Sequence, residues 1–145
     1  MRRVLVLLTV LTLAAAPAAQ AAKPSVTFKR KTLVRSAAGT QITQLPRGRG
    51  IQFDVRYVVR GVPARWKNAT AQVFVTLIHG NTVLRLNTNK AQTETGNWRW
   101  VVSGTEVKIP DTYPAGRYSV KVRVEVRHGG RLIARAAHSW RATVR

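Results

Sequence analysis

Across residues 117–127 the chain alternates without a fault. Tyr118, Val120, Val122, Val124 and Val126 occupy every second position, and Arg117, Ser119, Lys121, Arg123, Glu125 and Arg127 stand between them. Successive side chains of a strand point to opposite faces, so this segment reads as a strand with one buried and one solvated face. Such a strand obliges the chain to supply neighbouring strands and a second apolar layer to cover the buried face.

The same period recurs elsewhere, and no amphipathic helix interrupts it. Strands are expected over residues 25–35, with Val26, Phe28 and Leu33 inward, and over 51–60. In the latter Ile51, Phe53, Val55, Tyr57 and Val59 face inward, and Gln52, Asp54, Arg56, Val58 and Arg60 face solvent. Residues 71–79 carry Val73, Val75 and Leu77 on one face. Gly80-Asn81 then gives a tight hairpin into a strand at 82–87. A polar loop at 88–96 precedes a strand at 97–103 bearing Trp98 and Trp100. A short stretch at 107–109 leads to the strand at 117–127, and His128-Gly129-Gly130 turns the chain into a last strand at 131–144. About seven short strands separated by turn residues predict an all-β fold, a sandwich of two antiparallel sheets.

The start of the chain is of a different kind. Arg2 and Arg3 precede an uncharged run at residues 4–16, Pro17 breaks it, and Ala19-Gln20-Ala21 offers a small-residue cleavage site. This is the three-part pattern of a Sec-type signal peptide, too short for a bilayer span. Residues 1–22 are therefore expected to be removed on export, and residues 23–145 to form one domain, periplasmic or extracellular, with no later transmembrane segment. The chain has no cysteine. That excludes disulfides, thiol catalysis and thiolate metal sites.

Charge is the unusual quantity. The chain carries a formal net charge of +20 from 25 basic and 5 acidic residues. A field of this size attracts polyanions and weakens with salt. Outside the cytoplasm the expected partners are an anionic envelope polymer, a lipid headgroup or an acidic protein, with nucleic acid less favoured.

Residues 111–122, Asp-Thr-Tyr-Pro-Ala-Gly-Arg-Tyr-Ser-Val-Lys-Val, resemble the loop into the penultimate strand of immunoglobulin-like and fibronectin type III-like domains. The resemblance is architectural and closest to the Ig-like modules of bacterial exported proteins. It implies that Tyr118 bonds back to the loop backbone as a tyrosine corner, and it implies binding or scaffolding roles. It carries over no catalytic residue.

The candidate anion-binding residues are Arg117, Lys121, Arg123 and Arg127 on one strand and Arg131, Arg135 and Arg141 on the next. By alternation all seven share one outward face. Trp66, between Arg65 and Lys67, is the candidate exposed aromatic; Trp98, Trp100 and Trp140 are expected in the core. The loop Arg47-Gly48-Arg49-Gly50 offers a further basic turn. His79, His128 and His138 lack metal-ligand spacing and are expected as solvated turn residues. No nucleophile elbow, zinc-protease helix or phosphate loop occurs, and the carboxylates are scattered. The sequence therefore predicts a non-enzymatic binding module without catalytic residues, cofactor or metal. The alternative is a structural or protein-interaction module whose charge is incidental.

Overall fold

The computed structural model describes residues 23–63, 65–66, 69–92 and 106–145, with backbone alone at 87–92 and 106. The expected signal peptide and the strand at 97–103, with Trp98 and Trp100, lie outside the described residues. What is described is all-β. Ten strands occur in chain order: β1 (Ser25–Phe28), β2 (Leu33–Ser36), β3 (Gln44–Leu45), β4 (Gly50–Asp54) and β5 (Tyr57–Arg60). They continue with β6 (Thr70–His79), β7 (Thr82–Gln92), β8 (Glu106–Lys108), β9 (Gly116–His128) and β10 (Arg131–Val144). Among the described residues no helix is long and apolar enough to cross a membrane.

Three hydrogen-bonded sheets form. The largest has the order β3-β10-β9-β6-β7, with β3 parallel to β10 and the other pairs antiparallel. A second runs β2-β4-β8, and a third pairs β1 with β5. Alternation fixes which face of the large sheet is buried. Tyr118, Val120, Val122, Val124 and Val126 are fully buried, and they share a core with Val73, Val75 and Leu77 of β6 and Ile51, Phe53, Tyr57 and Val59 of β4 and β5. The hairpin from β6 to β7 closes at Gly80-Asn81, where Gly80 takes a positive φ of 56° that a side chain would disfavour.

Two expected strands are each split. The segment at 25–35 divides into β1 and β2, and that at 51–60 divides into β4 and β5. The divisions coincide: β1 pairs with β5, β2 pairs with β4, and Lys29 N–H donates to the Arg56 carbonyl at 2.9 Å in the gap. Residues 29–32 on one side oppose only residues 55–56 on the other, so the double ladder bends there. The bend overturns the expected alternation, because Asp54 and Val58, read as solvent-facing, are both buried. Strand β7 also extends to Gln92 through part of the expected polar loop. The segment between the expected strands at 25–35 and 51–60 contains β3, whose two residues pair with Thr143 and Val144.

Candidate cationic sheet face

The outer face of the five-stranded sheet is built around β9. With the valines of β9 turned inward, Arg117, Ser119, Lys121, Arg123, Glu125 and Arg127 must project outward. Cross-strand register then decides what stands beside each. Lys121 lies between Ser139 of β10 and Thr76 of β6, Arg123 between Ala137 and Phe74, and Arg117 opposite Thr143. Arg141 stands opposite Ser119, and Arg135 stands opposite Glu125. No two of these cations are directly paired across strands, so the face avoids the repulsion that opposed like charges would bring. Short side chains flank Arg117, Lys121 and Arg141 and leave them standing clear.

The sheet supplies the spacing. Residues two apart on a strand lie about 7 Å apart, and neighbouring strands about 4.8 Å. Arg117, Lys121, Arg135 and Arg141 are exposed, and none makes a side-chain hydrogen bond or ion pair with a described residue. Arg85 of β7, opposite Thr76, is a fifth exposed cation on this face. It was absent from the sequence candidates, although the two-residue turn at Gly80-Asn81 fixes its register and could have found it.

Two of the expected residues are engaged differently. Glu125 is buried, with 7% of its surface exposed, beneath Arg123 and Arg127. Arg123 Nε lies 3.0 Å from one carboxylate oxygen, and Arg127 donates to the other from Nη2 at 2.9 Å and from Nε at 3.1 Å. Arg127 also donates to the Gly130 carbonyl, and the Arg123 guanidinium sits 4.9 Å from the centre of the Phe74 ring. These two arginines are partly neutralised and held in place.

Arg131 departs from the expected face. A bulge at Ile133 shifts the register between Leu132 and Ala134. Leu132 therefore sits opposite Arg127, and Arg131 sits opposite His128 on the other side of the sheet. One extra residue reverses the facing of everything before it. Arg135 and Arg141, after the bulge, keep the outward position.

Trp66 is half-buried. Its indole stacks on His128 with ring centroids 5.3 Å apart and packs against the core. Trp140 is half-buried against the core, as expected. The histidines are not free turn residues. His79 hydrogen-bonds through Nδ1 with the Arg117 carbonyl at 2.8 Å and stacks on Tyr118, while His138 is half-buried and bonded through Nε2 with the Thr32 hydroxyl at 2.9 Å. In the basic loop, Arg47 donates to the Tyr113 and Asp111 carbonyls and so secures the chain before β9. Arg49 is exposed and lines an open groove with Lys108 and Arg145.

A second charge cluster lies at the bend. Asp54, 6% exposed, meets Arg30 at 2.5 Å, Arg56 at 3.5 Å and Arg35 at 3.8 Å. One carboxylate thus ties β2, β4 and the two linking segments together. Among the described residues no group of three or more His, Asp or Glu side chains is placed to hold a metal ion. No protein family, curated protein or solved structure matches the chain.

Proposed function

We propose that the chain is an exported, non-enzymatic binding module of Ig-like sandwich architecture, whose cationic sheet face engages an anionic polymer surface. The observation that carries this reading is that Arg117, Lys121, Arg135 and Arg141 stand exposed at regular sheet positions with no side-chain partner among the described residues. Buried charge networks spend cations on stability; these are left to solvent. A rigid sheet holds them without the ordering cost that a loop would incur on binding.

Two features support the sandwich architecture. The Tyr118 hydroxyl donates to the Pro114 carbonyl at 2.7 Å, the bond that a tyrosine corner requires. The core is shared between the large sheet and the strands of the two smaller ones. Export rests on the pattern of residues 1–22.

Retention of the purified protein on an acidic polysaccharide, on anionic liposomes and on single-stranded DNA, at about 0.15 M salt, tests the reading. Selective retention on one of them, lost on charge reversal of Lys121 and Arg135, is expected. Weak and equal retention on all three would leave the charge incidental and favour a protein-interaction module.

A further inference from the structure

The bend between β1 and β2 does more than break a strand. Residues 29–32, which join the two ladders, border a cavity of about 610 Å³ together with β10. Phe28, His138 and Trp140 give it an aromatic lining, and Arg30, Lys31, Thr32 and Ser139 complete it. The aromatic wall is pre-assembled. Phe28 meets His138 edge to face at 4.5 Å, and His138 stacks on Trp140 at 5.4 Å. The Thr32 hydroxyl is hydrogen-bonded with the imidazole Nε2 at 2.9 Å and fixes the ring. Arg30 is anchored by Asp54, whereas Lys31 is exposed and without a partner among the described residues.

The edge of β10 is the second observation. β9 pairs with one side of β10 along its length, but on the other side β3 reaches only Thr143 and Val144. No described strand hydrogen-bonds to that edge at His138, Ser139 or Trp140, so N–H donors and C=O acceptors alternate beside the aromatic wall.

We infer that this cavity is a binding site for a pyranose ring carrying an anionic group, such as a hexuronate unit of an acidic polysaccharide. The C–H face of a pyranose packs on an aromatic π surface, whose face is electron-rich. Its hydroxyls each donate and accept, and so match a backbone edge that offers both. The anionic substituent meets Lys31 and Arg30. A nucleobase fits less well. The cavity lining holds no Asn, Gln, Asp or Glu to read a base edge, and one aromatic wall does not make the successive platforms that single strands use. The site deepens the anion-binding reading and rests on it, yet its aromatic residues His138 and Trp140 lie on the face of β10 opposite the cationic one.

The test is titration of the purified protein with tetragalacturonate, with a neutral galactose tetramer and with a thymidine tetranucleotide, followed by calorimetry and by the indole N–H resonances. The chain has four tryptophans, and Trp140→Phe assigns the signal of Trp140 by its loss. Tetragalacturonate should bind at least tenfold more tightly than either other probe and shift the Trp140 resonance. Lys31→Glu, at an exposed position, should weaken it about tenfold, while Arg60→Glu, exposed and outside both the cavity lining and the cationic face, should leave it within twofold. Equal binding of acidic and neutral tetramers, preference for the tetranucleotide, an unmoved Trp140 signal, or indifference to Lys31→Glu would overturn the inference. Loss of polymer retention is read separately on the outer-face variant, so failure of the cavity and failure of the cationic face are told apart.

Discussion

Two buried tyrosines should respond in opposite ways to losing their hydroxyls. The Tyr118 hydroxyl donates to the Pro114 carbonyl, whereas the Tyr57 hydroxyl is buried with no hydrogen-bond partner among the described residues, and its burial pushes the phenol pKa up to about 12. A satisfied hydrogen bond contributes about 1 kcal/mol, while a buried orphan bears a desolvation cost. Tyr118→Phe should therefore lower stability by about 1 kcal/mol. Tyr57→Phe should leave it unchanged or raise it by up to about 1 kcal/mol, both read by denaturant melts. Glu125 gives a second contrast. Glu125→Gln frees Arg123 and Arg127 from their shared carboxylate and should cost about 1–2 kcal/mol of stability. The same variant should bind a polyanion more tightly, because two restrained arginines join the face; weaker binding would place the contact elsewhere. His138 adds a pH dependence. Burial holds its imidazole below the ordinary value of 6.5. In the window below 6.5 the unfolded chain takes up the proton first, so this contribution is complete above 6.5 and is lost as pH falls toward the folded value. Arg30 and Lys31 line the same cavity. The melting temperature should drop between pH 7.5 and 5.5, and drop less in His138→Gln.

At the scale of elements, β9 and β10 were legible and the first half of the fold was not. Across residues 117–127 of β9 every inward residue is Tyr or Val and every outward one is polar, so register follows from the sequence alone. β10 begins and ends where expected, yet its bulge was hidden. Leu132 and Ile133 are both apolar, and Ala136-Ala137 gives no contrast between faces, so nothing in the pattern marks one residue as extra. Arg131 was misplaced for that reason, while Arg135 and Arg141 were placed correctly beyond it. The bend between β4 and β5 was hidden differently. Asp54 occupies a position that alternation assigns to solvent, and only the three arginines brought in by the fold make its burial tolerable. Those arginines are a third exposed, which limits the worth of the cluster. Asp54→Asn should cost about 1–3 kcal/mol and loosen amide protection at 29–32 and 53–57 first. Uniform loss of protection across the large sheet would show that the cluster does not pin the bend.

At the scale of the whole molecule, two groups of basic residues serve different ends. Arg30, Arg35, Arg56, Arg123 and Arg127 surround the two buried carboxylates and hold strands together. Arg117, Lys121, Arg135 and Arg141 do not, and they share one face. Composition alone announced the charge but not its division, since burial of Asp54 and Glu125 depends on long-range pairing. The most direct test of the cationic face is the salt dependence of binding to a linear polyanion, with the protein compared to a variant in which those four residues are serine. Counterion release gives a slope of about 0.7 per contact on a single strand, so loss of four contacts should flatten the plot of log affinity against log salt by about 3. A slope unchanged in the variant, with affinity retained, would contradict the account and move the anion-binding surface off this sheet.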